Sequence, residues 1–304
     1  MVRSGEQFLT TMAQSSIERL KSFLTQQARL ARRSVRRFNQ SRHYSLSGAP
    51  VLFANAFPKS GTHLLTQVLA GFAQFGPAVV SGLPAIVTYE GDTGRQRAEE
   101  EILRDLGRLL PGDIAYGHLH ASPAVTEKLC QAGTAAYFML RDPRDVVVSH
   151  VHYVTEMEPS HIHHAYYKNE LKNMDERLRA SIVGRDDLSG IPFPDIYARF
   201  EPYLGWLEAP QVMVLHFEDF LTQRKKTLGD ILQHATMRGF TASCDSQTAL
   251  QILDRSIDPE RSPTFRRGMM GGWRTAFSPE LKNLFKEVTG DLLIRLGYET
   301  GQNW

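Results

Sequence analysis

A lysine, two hydroxyl residues and a glycine occupy a turn between an apolar strand pattern and an apolar helical pattern. The segment is FANAFPKSGTHLL at 53–65, with Lys59, Ser60, Gly61 and Thr62 in the turn. A glycine turn before a helix lets consecutive backbone N–H groups converge on one point, where the helix dipole adds positive potential. The segment therefore predicts an anion-binding loop, most often for phosphate.

The order of residues in this loop differs from that of the nucleoside triphosphate loop. In GxxxxGK[ST] the lysine follows the glycine, and the hydroxyl beside it holds magnesium, whereas here Lys59 precedes Gly61. Taken alone, the loop leaves two interpretations open, an anion site and a chance turn before a helix.

A second polar segment follows another strand pattern. In YFMLRDPRDVVVSHVHY at 137–153, the strand ends at Arg141 and a helix begins near Pro143. Ser149 lies two turns into that helix, so Arg141 and Ser149 could hold one phosphate from two different elements. The segment therefore predicts a second anion site.

The elements that position these residues alternate between short strands and longer helices. Strands are predicted at Val51–Phe57, Asp113–Tyr116, Ala135–Leu140 and Gln211–Phe217, and helices at Thr62–Phe75, Pro123–Cys130, Pro143–Val154 and Asp219–Ala235. This rhythm predicts an α/β fold, a P-loop-like and mainly parallel sheet flanked by helices. In such sheets ligands bind at the carboxyl ends of the strands, where Lys59, His118 and Arg141 fall.

Composition narrows the function classes. The 304 residues are 42% hydrophobic and 22% charged, which fits a globular fold with a substantial core. A formal net charge of only +2 argues against a polycation that coats nucleic acid. Cys130 and Cys244 provide no disulfide framework, no apolar run approaches a membrane span, and no secretory signal begins the chain. We therefore expect a cytoplasmic protein, with membrane association left open.

Residues 1–48 differ from the rest in composition, and we predict an N-terminal amphipathic basic helix and linker ahead of a domain at 49–304. Apolar residues recur at helical spacing at Leu9, Met12, Ile17, Leu20 and Leu24, and the basic run ARRSVRR follows at 31–37. The simplest interpretation is that the apolar face packs on the domain while the arginines are solvated. The alternative is docking to an anionic membrane or a partner.

Together, PKSGT at 58–62 and RDPRDVVVS at 141–149 resemble the sulfotransferases that use 3′-phosphoadenosine 5′-phosphosulfate (PAPS). The resemblance extends from about Val51 to Tyr298 and includes, in the family's order, GHLHASP at 117–123, VLHFEDF at 214–220 and FRRGMMGGW at 265–273. It implies transfer of a sulfuryl group to a hydroxyl or amine of a small-molecule, lipid or glycan acceptor, with release of PAP and no obligatory metal.

The resemblance also implies roles for individual residues. The loop up to His63 would grip the 5′-phosphosulfate, with Lys59 on the bridging oxygen of the leaving phosphate. Arg141 and Ser149 would grip the 3′-phosphate. His118 matches the general base, a role that suits the near-neutral pKa of histidine. The remaining cofactor residues would be Phe217, Arg266, Arg267 and Gly268.

The acceptor would meet residues next to these motifs. His120 lies two positions after His118 and would project to the same side of an extended segment. Tyr153 lies at the end of the helix predicted at Pro143–Val154, and His120 and Tyr153 are candidate substrate-binding residues. The segment 155–194 interrupts the rhythm of strands and helices and is predicted to form a helical cap. Nearby histidines match no usual zinc-ligand spacing, and pocket, lid and surface all remain open for them: His150, His152, His161, His163 and His164.

Several positions depart from the family's pattern. Tyr116 stands where many members have lysine, His63 replaces a common threonine, and Gly272 replaces an aspartate. Pro279 interrupts the stretch that many members use for dimerisation, so the oligomeric state stays open. Two alternatives also remain, a phosphotransferase with a P-loop and a non-catalytic nucleotide-binding adaptor. The first lacks GKS or GKT, and the second would not need His118.

Overall fold

A parallel sheet forms the centre of the molecule in the computed structural model, which describes residues 24–91, 93–187, 193–262 and 268–304. Its strands are β1 (Val51–Ala56), β2 (Val79–Val80), β3 (Ile86–Val87), β4 (Asp113–His118), β5 (Thr134–Leu140) and β6 (Val212–His216). The order is β2-β4-β1-β5-β6, with β3 beside β4, and every pair is parallel. The predicted α/β fold with a mainly parallel sheet is confirmed.

Helices cover both faces of this sheet, which explains why its central strands are apolar without alternation. Every residue of β1 is buried. Phe53 and Phe138 belong to the core on one face, whereas Leu52 and Tyr137 belong to the core on the other. Four predicted strands coincide with β1, β4, β5 and β6 to within two residues at each end, because a run buried on both faces is easily seen in sequence.

The described helices follow the predicted pattern between the strands and extend it beyond β6. They are α1 (24–41), α2 (Thr62–Gly71), α3 (Glu99–Leu106), α4 (Pro123–Cys130), α5 (Pro143–His152), α6 (Met174–Val183), α7 (Ile196–Phe200), α8 (Asp219–Thr222), α9 (Arg224–Met237), α10 (Ser246–Arg255), α11 (Trp273–Ala276), α12 (Pro279–Thr289) and α13 (Leu292–Arg295). The helix predicted at Asp219–Ala235 is two helices, separated at Gln223. The helix predicted at Pro143–Val154 ends at His152 and continues as a π-helical turn over Tyr153–Met157.

Helix α1 is attached to the domain through arginines. Arg33 is buried and pairs with the fully buried carboxylate of Asp113, the first residue of β4. The guanidinium of Arg37 donates to the other oxygen of that carboxylate at 2.9 Å. The amide of Gln40 donates to the backbone carbonyls of Ala73 and Gly76 at 2.9 and 2.8 Å. Because a buried carboxylate requires a cationic partner, Asp113 determines which side of α1 faces the domain.

The apolar residues of α1 are on the solvent side. Leu24, Val35 and Phe38 are 56%, 60% and 66% exposed. Of the apolar residues expected to pack on the domain, Leu24 is the one within the described residues, and it is exposed. The expectation that the arginines are solvated is wrong for Arg33, because the buried carboxylate of Asp113 holds it against the domain. The apolar positions before residue 24 lie outside the described residues, and the domain boundary at residue 48 stays a prediction. None of the helices in the described ranges is long and apolar enough to cross a membrane.

Candidate active site

The loop between β1 and α2 approaches the end of the sheet very closely. Gly61 precedes α2 with φ 98°, and a Cβ atom built there would lie 2.7 Å from a ring carbon of Phe217. Lys59 is the one non-glycine residue with positive φ, 69°, in the described parts of the chain. Such conformations are strained and cluster at functional sites. Glycine is required at position 61 both for its φ and for the space left by Phe217.

The same loop leaves polar groups without partners. Helix α2 begins without a side-chain cap. The hydroxyl oxygen of Ser60 and the Nε of Arg141 are both buried and form no hydrogen bond with any described residue. Buried polar atoms without partners are rare, and the free N–H groups of a helix start bind anions. The residues present therefore fit the anionic groups of a nucleotide.

Arg141 follows β5 and links the sheet to a later loop. Its guanidinium donates to the carbonyl of Met269 at 2.7 Å and lies 4.7 Å from the centre of the Phe217 ring. Ser149, on α5, lines the same cavity as Arg141. The structure thus brings together the pair expected to hold the second anion, with Phe217 beside it.

Asp145 connects α5 to the loop before α11, and sequence reasoning missed it. Its buried carboxylate accepts backbone N–H groups from Gly271 at 2.6 Å and Trp273 at 3.0 Å, and lies 3.9 Å from the Arg141 guanidinium. Burial raises the pKa of Asp145, and the charge of Arg141 opposes that shift. The second aspartate of RDPRD was the available signal, but its partners lie more than a hundred residues away in sequence.

Lys59 lines the cavity between Arg141 and Tyr153. Its ammonium nitrogen is 3.5 Å from the centre of the Tyr153 ring. Burial, and then the positive charge of Arg141, lower the pKa of Lys59 to about 8. The face of an aromatic ring favours the charged ammonium and works against this lowering. An anion beside Lys59 and Arg141 would relieve the repulsion between them.

His118 ends β4 and is held by the neighbouring strand. Its Nδ1 lies 2.8 Å from the carbonyl oxygen of Ala56, the last residue of β1. Burial lowers the pKa of His118, as do the nearby His63 and Lys59, while the bond to Ala56 opposes the shift. A neutral imidazole that donates from Nδ1 keeps its lone pair on Nε2, which is the nitrogen a general base uses.

His120 lies further into the cavity among aromatic rings. Its ring centre is 4.9 Å from that of Tyr203 and 5.6 Å from that of Tyr89. Burial lowers the pKa of His120 to about 4, so this side chain is neutral near pH 7. Tyr89 and Tyr203 were not singled out from the sequence, because single tyrosines in a loop and a 3-10 turn carry no periodic signal.

The histidine-rich segment forms another wall of the cavity. The ring centre of His161 is 5.9 Å from that of Tyr153, 6.0 Å from that of His150 and 5.3 Å from that of His163. Burial and neighbouring positive groups lower the pKa of His163 to about 4. No cluster of described histidine, cysteine or acidic residues has the arrangement of a metal site. His164 instead approaches the carbonyl of Val154 at 2.6 Å.

One cavity of about 1070 Å³ joins these groups. Most predicted site residues line it, namely Lys59, Gly61, Thr62, His63, His118, His120, Arg141, Ser149, Tyr153, Phe217 and Gly268. Ser60 is buried in the loop. Arg266 and Arg267 lie outside the described residues, so their role stays a prediction. The cavity also holds His161, His163 and Phe193, which belong to the predicted cap segment at 155–194.

The family described as the sulfotransferase domain matches residues 118–297. This is more than half of the chain, and the chain belongs to that family. The predicted family and the enzyme class of sulfotransferase are confirmed. The match begins at His118, so the loop at 58–62 lies before it, and the structure is what brings that loop to the matched residues.

Solved structures share the fold. Mouse sulfotransferase SULT7A1 complexed with PAP is 16% identical, with a TM-score of 0.53 over 83% of this chain and 86% of that chain. Retinol dehydratase with androsterone and the inactive cofactor PAP is 17% identical, with a TM-score of 0.51 over 80% of each chain. Retinol dehydratase with retinol and PAP is 16% identical, with a TM-score of 0.53 over 81% and 82%. The predicted cofactor agrees with this family and with the PAP in these neighbours.

Proposed function

We propose that the chain transfers the sulfuryl group of PAPS to a hydroxyl group of a small, largely apolar molecule, with His118 as the general base and Lys59 beside the leaving phosphate. The observation that carries this is the single cavity that Lys59, His118, Arg141 and Ser149 share. PAPS, when bound, supplies an activated sulfuryl group and a phosphate leaving group. Side chains of this protein would bind and orient both substrates and would accept the proton of the acceptor.

The described loops support one direction for the nucleotide. The uncapped start of α2 and the hydroxyl of Ser60 would bind the phosphosulfate end, and Arg141 with Ser149 would bind the 3′-phosphate. The aromatic ring of Phe217, which contacts both the loop and Arg141, would lie near the adenine. Two anion sites on separate strand ends favour a nucleotide with two separate anionic groups.

Lys59 and His118 would act on opposite sides of the transferred group. Lys59 would hold its positive charge next to the oxygen on which negative charge develops as the sulfur–oxygen bond breaks. Nε2 of His118 would accept the proton of the acceptor hydroxyl as the new bond forms. In-line transfer needs positioning and charge stabilisation above all, and the strained turn at Lys59 and the bond between His118 and Ala56 provide fixed positions.

The cavity walls favour an uncharged hydroxyl acceptor. His120, His150 and His163 have pKa values lowered mainly by burial, so they present neutral imidazoles to the acceptor. The positive charges of Lys59 and Arg141 would repel an ammonium group, which disfavours a protonated amine. The structure of retinol dehydratase with retinol gives one example of an apolar hydroxyl compound held by this fold.

The nucleotide half of the proposal is tested by thermal unfolding in the presence of PAP, 5′-AMP or ATP. We expect PAP to raise the unfolding temperature most, with 5′-AMP far weaker because it lacks the 3′-phosphate, and we expect the effect of PAP to persist in EDTA. Equal stabilisation by PAP and 5′-AMP would remove Arg141 and Ser149 from the site. Stabilisation by ATP that requires magnesium would instead favour a phosphotransferase.

The transfer half is tested with PAPS labelled in its sulfate group and pools of candidate acceptors. We expect label to move to apolar alcohols in a reaction that His118→Ala abolishes without loss of PAP binding. Matched amines at a pH where they are charged provide the comparison. Label transferred only to sugars or to amines would contradict the acceptor class, and PAP release without labelled product would contradict transfer itself.

A further inference from the structure

Helix α1 turns a continuous apolar stripe away from the domain. The stripe consists of Leu24, Ala28, Ala31, Val35 and Phe38. At about 3.6 residues per turn these positions fall on one side of the helix, while Arg33 and Gln40 fall on the opposite side. Single exposed apolar residues are ordinary on protein surfaces, but five that align along one helix form a surface that favours burial.

The orientation of this stripe is set by buried charge. Arg33 and Arg37 both pair with the fully buried carboxylate of Asp113, and Arg33 also donates to the carbonyl of Arg108 at 2.9 Å. Rolling α1 to bury its stripe against the domain would withdraw both arginines and leave Asp113 without a cation. Within the described residues, the domain therefore holds the stripe outward and leaves it exposed.

The charged side chains of α1 and the turn after it all have the same sign. Residues 24–42 contain no aspartate or glutamate. Arg32 and Arg42 are exposed next to the stripe and form no ion pair with any described residue, whereas Arg36 donates to the carbonyl of Val80 at 3.2 Å on the domain side. A second copy of the chain seated on the stripe would bring like charges together. A nucleic acid would meet the charges but leave the stripe in water.

We propose that α1 lies flat on a bilayer that contains anionic lipids, with Val35 and Phe38 in the acyl boundary and Arg32 and Arg42 among the headgroups. The described part of α1 is about 27 Å long, sufficient for an interfacial helix of this kind. Anionic headgroups complement arginines, and the hydrocarbon boundary covers an apolar stripe. This proposal is independent of sulfuryl transfer.

The test is flotation of the full-length protein with vesicles of phosphatidylcholine alone and of phosphatidylcholine with phosphatidylserine in equal parts. Val35→Gln/Phe38→Gln removes two apolar side chains from the stripe, and Arg32→Gln/Arg42→Gln removes the charge beside it. The matched control is Met237→Gln/Ile294→Gln, which changes two exposed apolar residues on other helices. Every substituted side chain is exposed or on the helix surface, so we expect each variant to fold. Circular dichroism and thermal stabilisation by PAP check this.

We expect the native chain to float only with vesicles that contain phosphatidylserine, and added salt to weaken the binding. Val35→Gln/Phe38→Gln should lower vesicle affinity by roughly tenfold or more. Each arginine removed should lower it by about fivefold. The Met237→Gln/Ile294→Gln control should bind like the native chain.

Other outcomes overturn the proposal. Failure of the native chain to float, or equal flotation of the stripe variant, would remove the stripe from membrane contact. Equal binding to neutral vesicles would remove the role of the arginines. A native chain that does not float but forms a dimer, which Val35→Gln/Phe38→Gln disrupts, would assign the stripe to an interface between copies.

Discussion

The ammonium nitrogen of Lys59 lies 3.5 Å from the centre of the Tyr153 ring, so the cation that would stabilise the leaving phosphate rests on an aromatic face. Tyr153 begins the π-helical turn that follows α5. The ring also lies 5.9 Å from that of His161, so it connects Lys59 to the histidine wall proposed to face the acceptor. Its contact with Lys59 holds a positive charge at a position where burial alone would favour the neutral amine.

Replacing Tyr153 should affect turnover through Lys59. We expect Tyr153→Leu to lower kcat by about fivefold to thirtyfold, since a partly desolvated contact between a cation and a ring contributes about 1 to 2 kcal/mol. Tyr153→Phe keeps the ring and is the matched control, with kcat near that of the native enzyme. Steady-state kinetics with saturating PAPS make the comparison. A loss in Tyr153→Phe as large as in Tyr153→Leu would assign the effect to the hydroxyl.

The pKa of Lys59 predicts how PAP binding depends on pH. Since burial and Arg141 lower this pKa to about 8, the ammonium form of the free enzyme is lost as the pH rises through that value. An anionic ligand binds the charged form better, so PAP affinity should be level well below this pKa and fall as the pH rises through it. Titration calorimetry in buffers of different ionisation enthalpy should also show proton uptake on binding.

Lys59→Arg is the control for that titration, because its guanidinium stays charged across the whole range. We expect its PAP affinity to remain level where that of the native chain falls. A decline of the same size in Lys59→Arg would assign the pH dependence to another group. In Tyr153→Leu the decline should begin at lower pH, because the ring no longer favours the ammonium.

His118 and His120 offer a matched pair for locating the base. His118→Ala should lower turnover by about a hundredfold or more with PAP affinity unchanged, and the acidic limb of the rate profile should disappear. That limb should lie below the ordinary histidine range, because burial lowers the pKa of His118. His120→Ala should mainly change acceptor KM. Near-native turnover in His118→Ala beside an inactive His120→Ala would move the role to His120.

The buried pair between Arg33 and Asp113 should dominate the docking of α1. Arg33→Met leaves a fully buried carboxylate with one cation fewer, and we expect a loss of about 3 to 5 kcal/mol in the free energy of unfolding. Arg32→Met, on the exposed side, is the control and should change little. In Arg33→Met/Asp113→Asn the loss should be smaller than the sum of the single losses, measured by urea unfolding. Strict additivity would show that the two side chains do not interact.

The sequence was sufficient to predict a strand and the loop after it where the local pattern of apolar residues matches the burial of the segment. β1 and β5 are almost entirely apolar because both faces of the sheet are covered, and the loops after them carry Lys59 and Arg141 at strand ends. The structure brings these residues into one cavity with His118, as a parallel sheet requires. The two-residue strands β2 and β3 have no periodicity to detect, so they were not predicted.

The features that could not be predicted from the sequence depend on contacts between residues far apart in the chain. The link from Asp145 to Trp273 joins segments with no shared motif. The orientation of α1 follows from Asp113, whose side chain is buried only because the fold places the start of β4 there. Among the apolar positions that helical spacing identified, Leu24 is the one that lies in α1, and the spacing carried no information on whether that side of the helix faced protein or water.

β4 begins at Asp113, which pairs with Arg33 of α1, and ends at His118, the proposed base. Asp113 and His118 are roughly 16 Å apart along a strand of this length. Because the strands are parallel, the proposed lipid-facing helix and the cavity with the proposed base lie at opposite ends of β4. A protein resting on α1 would thus hold this cavity toward the aqueous phase. The newly made sulfate ester, an anion, would depart into water, away from the anionic lipids beneath the helix.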